Sequence, residues 1–271
     1  NISTVYGRRL DDCRAWSVDY VVKVPRDVSL DVVTSYGKLR AAGVEGDVTL
    51  GNSYSGIEAT DIGGTLRIAS RYGIVDARGI AGNADIEASY SAVSAEDVGG
   101  DIEVRASHSK VDAQDVRGAA NIGTTYAMIA VRQVAGPIRA RTKHGRIEVR
   151  SCPGDLTLTT AYAPVSVEDA AGSVGVSNQY GSVDLAFAEG PASEVNITTS
   201  YARVTVLAPA DARMTVDAVA SPGRVECAYE LDGSTSAGGA TRAGTIIGKI
   251  NGGGALLRIR NEHGAIRIAA R

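Results

Sequence analysis

A tyrosine or histidine ring recurs every 18 residues along most of this 271-residue chain. Tyr36, Tyr54, Tyr72, Tyr90, His108, Tyr126, His144, Tyr162 and Tyr180 form the ladder, and Tyr201 rejoins it after a three-residue insertion. Ten residues after each of the first nine rings stands a glycine: Gly46, Gly64, Gly82, Gly100, Gly118, Gly136, Gly154, Gly172 and Gly190. A unit this short cannot bury an apolar face alone and must stack on copies of itself. The period therefore calls for one elongated body rather than two compact domains.

The apolar positions show what each unit contains. Three residues after the ring come Leu39, Ile57, Val75, Val93, Val111, Ile129, Ile147, Val165 and Val183, and two residues further come Ala41, Ala59, Ala77, Ala95, Ala113, Val131, Val149, Val167 and Leu185. Most of the intervening residues are polar, which is the period-two signature of a short strand with one wet face. A second strand repeats the pattern, with Val48 and Leu50, Leu66 and Ile68, Ile102 and Val104, Leu156 and Leu158, and Val174 and Val176 inward. Val44, Ile62, Ile80, Val98, Val116 and Val134 add an inward position just before the ladder glycine. Cys152 shares their column and reads as a small buried hydrophobe.

Two strands and two turns per unit, stacked at about 4.8 Å, make a β-helix. The expected fold is all-β: a single-stranded β-helix, or solenoid, with about ten regular rungs and irregular terminal ones. The apolar steps do not fit the six-residue period of left-handed coils, so a right-handed coil is expected. Hydrophobic residues make up 44% of the chain and aromatics only 5%, which suits thin aliphatic layers. The ladder glycines belong at corners that need positive φ or close approach between rungs.

Three regions follow. Residues 1–33 form an N-terminal cap and strand, in which Val18, Tyr20, Val22 and Val24 alternate up to Pro25. Residues 34–207 form the regular coil. Residues 208–271 hold degenerate rungs: strands at Met214 to Ala218 and Arg224 to Tyr229, a Gly/Ser/Thr-rich mobile loop from Leu231 to Gly244, and a closing rung built on Leu257, Ile259, Asn261, His263, Ile266 and Ile268. All three histidines thus occupy the ring position, which argues for a shape role shared with tyrosine.

The net charge of −3 comes from nearly balanced acids and bases, without the basic footprint of a nucleic-acid binder. Cys13, Cys152 and Cys227 lack metal-site spacing, and a Cys13–Cys227 bridge stays open in an oxidising compartment. No transmembrane stretch or signal peptide is present. The chain is therefore either cytosolic or a mature product after signal removal; Asn1 in place of Met favours the second, secreted or attached to a bacterial cell envelope.

The approach strand Val18 to Pro25, the Thr34 to Gly37 and Lys143 to Gly145 turns, the Ala161 to Val165 stretch and the closing Gly248 to Gly254 followed by Leu257 to Ile268 carry a resemblance. Over nearly the whole chain it resembles the bacterial adhesin-type β-strand repeat proteins, relatives of the head GIN domain. The resemblance implies an exported, non-catalytic, right-handed β-helix and transfers no catalytic residues. That family often has Asn at the turn where this chain has Tyr or His.

Catalysis is weighed because some β-helices cleave polysaccharides with clustered carboxylates. The nearest candidates are Asp61, Asp97, Asp115 and Asp169, seven residues after a ring; only Asp97 and Asp115 fall on adjacent rungs, where they could hold calcium or raise a pKa. Their other reading is as turn residues bonded to their own backbone. Gly99-Gly100-Asp101 lacks calcium β-roll spacing, and Thr157 and Thr159 are too few for an ice-binding threonine ladder. Outward Arg78, Glu96, Arg132, Arg150 and Glu168 read as a solvated face. Asn52, Ser70, Thr124, Thr142, Thr160 and Asn178 form a polar column before the rings, expected to hydrogen-bond up and down the coil.

No catalytic residue, cofactor or metal is therefore expected. The ring column has two readings: offset stacking that stiffens a corner, or a recognition stripe for glycans or a surface protein. The expected function is an adhesin-like structural or interaction protein. Filament assembly would follow from open-edged rungs continuing to Arg271. The alternative is a carbohydrate-active enzyme or glycan-binding module using the stripe or the stacked carboxylates.

Overall fold

The computed structural model describes residues 21–232 and 244–271. All of its regular elements are strands, the first at Leu30–Thr34 and the last at Gly264–Ala270. They form two sheets, one of 13 strands and one of 12, and each regular rung gives one strand to each sheet. Parallel pairing joins Leu39 to Ile57, Ile57 to Val75, Val75 to Val93 and Val93 to Val111, one 18-residue step at a time. This is the expected β-solenoid.

The inward columns face each other between the sheets and exclude water. Ile57, Val75, Val111, Ile129 and Ile147 stack in one column, Ala59, Ala77 and Ala113 in the next, and all are buried. Each Val or Ile so buried contributes roughly 1.5 to 3 kcal/mol relative to exposure. Further along the coil Val131, Val149, Val167 and Leu185 continue the alanine column and are equally buried.

A period-two strand cannot place residues three apart on the same face, yet Ala59 and Ile62 both point inward. The chain solves this with a bulge. Asp61, Asp97, Asp115, Gln133, Ser151 and Asp169 adopt φ of 52–55°, while Gly43 and Gly79 adopt 67° and 65°. The left-handed residue lies outside the ladder register, which runs from Thr60–Arg78 to Ile62–Ile80, and it restores the inward orientation of the next side chain. Asp tolerates this conformation better than most residues, so the carboxylate column is a backbone feature.

The ladder glycines answer to close approach. A Cβ on Gly82 would lie 2.6 Å from the Gly64 carbonyl oxygen, and one on Gly118 2.6 Å from that of Gly100. Gly100, Gly118 and Gly136 each donate an N–H to the glycine carbonyl one rung earlier, at 3.0–3.1 Å. Among the nine, only Gly190 needs positive φ, at 95°.

At the C-terminal end the rungs leave chain order. Strand Ala255–Asn261 lies between Val195–Thr199 and Met214–Ala220, and Gly264–Ala270 lies between Val204–Ala208 and Gly223–Cys227. The last rung in sequence thus fills the penultimate place. Thr245–Ile250 then runs antiparallel along Met214–Ala220 and ends the 13-stranded sheet. The expected open rung at Arg271 is corrected accordingly: it is interior, and its Arg271 N–H donates to Ala208. The physical reason is register. Asn261, His263 and Gly264 carry the ring-turn chemistry that fits on the Tyr201 turn, whereas pairing sets Pro222 at the ring position of the outer rung.

The N-terminal reading also changes where it can be checked. Residues 21–25 belong to no strand, and Val21, Val22 and Val24 are exposed. Pro25 has no N–H for a ladder, and inter-rung bonding begins at Arg26, whose carbonyl accepts the Glu45 N–H at 2.7 Å. Residues 18–20 of that strand, residues 233–243 of the expected loop, and Cys13 lie outside the described residues.

Candidate interaction edge

The corner that carries the rings is built from buried polar side chains. Asn52 accepts the Tyr54 and Ser55 N–H groups at 3.1 and 3.0 Å and donates to the Gly37 carbonyl one rung earlier at 2.7 Å. Asn178 donates to the carbonyls of Ala163 and Gly181 at 3.0 and 2.7 Å. Thr142 accepts the Gly145 N–H at 3.1 Å, and Asn261 donates to the Ala202 carbonyl at 2.7 Å. The polar column thus hydrogen-bonds along the coil as expected, chiefly to backbone carbonyls of the rung before, with Ser70 and Ser91 joined through their hydroxyls at 3.3 Å. A turn exposes more backbone donors and acceptors than its neighbours can satisfy, and these side chains serve the backbone first.

Two turns use another solution. Ala88 and Ala106 replace the polar residue, and there the rings themselves, Tyr90 and His108, adopt φ of 52° and 55°. Buried Ser91 and Ser109 supply the missing bonds: Ser109 accepts the Ser91 N–H at 3.0 Å, and their hydroxyls donate to the Ser89 and Ser107 carbonyls at 3.1 and 2.9 Å. Both solutions put the ring in the same column.

The rings stack without a break. Tyr36, Tyr54, Tyr72, Tyr90, His108, Tyr126, His144, Tyr162, Tyr180 and Tyr201 follow one another with centroids 4.5–5.7 Å apart and planes within 21°. His263 then stacks on Tyr201 at 4.6 Å, across a 62-residue gap in sequence. The eleven rings make a stripe about 50 Å long at roughly 5 Å per rung. The tyrosines are 42–74% exposed, so the column faces solvent. Its faces are turned to its own neighbours, which leaves the ring edges to solvent.

The other sequence candidates part from this edge. Asp97 and Asp115 stand in the left-handed bulge column, each beside a group of its own: Arg117 lies 3.8 Å from Asp97, and the Gln114 amide donates to Asp115 at 3.0 Å. Cys152 is buried; its thiol donates to the Arg150 carbonyl, and burial pushes its pKa up. Burial does the same to Cys227. Outward charges pair across rungs, as in Arg150 with Glu168 at 3.3 Å and Arg132 with Asp112 at 2.9 Å. Among the described residues no helix is long and apolar enough to cross a membrane.

The structure adds three residues that ring spacing alone does not connect: the buried serines Ser91 and Ser109, signalled by the alanines at 88 and 106, and Pro222, which occupies the ring position beyond His263. Searches against protein-family profiles, curated proteins and solved structures find no match for this chain.

Proposed function

We propose that this protein is a non-catalytic interaction module of the cell envelope or extracellular space, adhesin-like in working principle, with the ring edge as its contact surface. The observation that carries this reading is the exposed, unbroken stack of eleven rings on a rigid two-sheet coil. Exposed stacked rings contribute to stability at the low end of aromatic pairs, roughly 0.5 kcal/mol each, so turn stability alone is a weak reason for so regular a column. Tyrosine offers amphipathic contact area at low entropic cost, and the neighbours already hold each ring in place, which lowers the ordering cost of binding.

The enzyme reading has less support, because the aspartates it would use are accounted for by left-handed backbone and local partners. For end-to-end assembly the open edges lie not at Arg271, which is inside the coil, but at Gly223–Cys227 and Thr245–Ile250, the last strands of the two sheets.

Replacing Tyr72, Tyr90 and Tyr126 together by Ser tests the contact role. Retention on bacterial envelope fractions and insoluble polysaccharides is expected to fall while the melting temperature moves by only a few degrees. Unchanged retention would sink the reading. Turnover in a polysaccharide panel, lost on replacing Asp97 and Asp115 by Asn, would favour the enzyme.

A further inference from the structure

The two long edges of the coil carry opposite charge. Within two residues of the ten rings from Tyr36 to Tyr201 stand Lys38, Arg71, Lys110, Lys143, Arg146 and Arg203, and no Asp or Glu. On the opposite edge, the five residues from the bulge position onward in each rung, from Gly43 to Ser173, hold eight carboxylates and one base, Arg117. A chain with nearly balanced charges has sorted them by edge.

The two sets differ in what already satisfies them. Asp47, Asp101 and Asp155 accept the N–H groups of Thr65, Ala119 and Ser173 on the next rung at 2.7–2.9 Å, and Arg271 holds Asp169 at 3.1 Å. On the ring edge Lys38 and Arg146 reach Glu58 and Glu148. Arg71, Lys110, Lys143 and Arg203 are exposed and reach no carboxylate among the described residues. Glu45 and Asp61 on the opposite edge and Glu262 beside His263 also reach no base among the described residues, but no acid stands within two residues of the ten rings from Tyr36 to Tyr201, so the charge beside those rings is cationic.

Its spacing is regular as well. Lys38, Arg71, Lys110 and the pair Lys143 and Arg146 belong to the first, third, fifth and seventh rungs of the ladder. Two rungs are about 10 Å. Through the seventh rung cations therefore recur at every second ring, at the position before it or two after it; the eighth and ninth rungs have none and Arg203 stands on the tenth.

We infer that the ring edge binds a linear carboxylated polysaccharide, a polyuronate, laid along the coil axis. The inference rests on the reading of this edge as the contact surface and adds the ligand class. A line of charge one turn wide, between sheets of mixed sign, suits a linear polymer better than a flat membrane. Single-stranded nucleic acid would need ring faces on which to stack its bases, and each interior ring's faces are occupied by its neighbours. Phenol edges offer a row of hydroxyl groups that donate and accept, matching sugar hydroxyls and carboxylates. In a 1,4-linked uronate chain of twofold symmetry, alternate carboxylates project to the same side. One then meets the protein per disaccharide, a length comparable to two rungs.

The test measures binding of polygalacturonate, neutral dextran and oligo(dT) to the purified chain at low and high salt, with light scattering of the protein alone. Polygalacturonate is expected to bind, to weaken with salt, and to lose about tenfold affinity or more when Lys110, Lys143 and Arg146 are changed together to Ser, at about 1.4 kcal/mol per tenfold. Changing Arg139 and Arg141 on the sheet face to Ser should leave binding within about twofold by the same arithmetic.

Equal loss in the sheet-face variant, preference for oligo(dT), or no polygalacturonate binding would overturn the inference. So would self-association dispersed by Asp97→Asn with Asp115→Asn, because a second copy's acidic edge would then occupy the stripe. If polygalacturonate fails while the Tyr-to-Ser variant still loses envelope retention, only the ligand class falls. If that variant retains its binding, the contact surface falls too.

Discussion

The ring edge and the glycine edge are the two corners of the same coil, repeated at the same interval, and they are specified in opposite ways. At the glycine edge the constraint is steric: backbones of successive rungs come so close that a Cβ has no room, and a left-handed bulge re-aims the strand just before. At the ring edge close approach also acts, as at Gly145 and Gly181 against the Ala127 and Ala163 carbonyls, but hydrogen bonding is added to it: buried Asn, Thr or Ser side chains hold the turn, and the large side chain they present projects into water. One corner is made of what cannot be larger. The other carries side chains larger than its turn requires. Regularity alone is therefore no evidence of function; regularity beyond what the backbone demands is, and only the ring edge has it.

This contrast can be broken by mutation, and the largest effect should come from the glycine edge. Gly118→Val puts side-chain atoms against the Gly100 carbonyl and is expected to cost about 3 kcal/mol or more, read as a lowered denaturant midpoint. A loss below about 1 kcal/mol would mean the rungs can separate locally. Next comes the buried support of the ring edge. Asn178→Ala leaves the Ala163 and Gly181 carbonyls without their donor and should cost about 2 kcal/mol.

The bulge supplies a sharper comparison at one position. Asp115→Gly should be nearly neutral, whereas Asp115→Val should cost about 1–2 kcal/mol, because a β-branched residue resists φ near 54°. Equal unfolding midpoints for the two would remove the backbone account of the carboxylate column. A single exposed ring is expected to matter less to stability: Tyr126→Ser should cost about 1 kcal/mol or less, through two lost stacking contacts. A much larger drop in melting temperature would shift the ring column toward a structural role.

The smallest effect belongs to the reordered C-terminal rungs, where Asp217 receives a hydrogen bond from Arg260 at 2.6 Å. That bond holds the Asp217 carboxyl below its ordinary pKa. Its contribution is present above the ordinary carboxylate range and is lost as pH falls through the lowered value. With both side chains partly exposed it is worth at most about 1 kcal/mol. Asp217→Asn should therefore narrow the stability difference between neutral pH and acid; an unchanged acid limb would leave the pair without a role in joining these rungs.

Much of this is legible in the sequence. Ile57, Val75 and Val111 on one spacing and Ala59, Ala77 and Ala113 on the next declare strands with one buried face, because period-two alternation and an 18-residue repeat admit few other stackings. Asp97 and Asp115 were ambiguous for a physical reason: a carboxylate on a left-handed residue and one in a catalytic pair are the same letter. Val22 and Val24 misled because alternation shows that a segment suits a strand, not that an edge is available to pair with it.

The amino-acid order by itself determined the repeat, the two-strand rung, the inward columns and the identity of both corners, since each depends on residues close in sequence recurring at one interval. Only the tertiary structure decided that the rings face water with their edges outward, that the ladder glycines answer to contact rather than to dihedral angle, and that His263 follows Tyr201. Those outcomes depend on which surfaces meet after stacking. Any rung of the right register can pair with any other, and the choice falls to turn chemistry and packing between segments far apart in the chain.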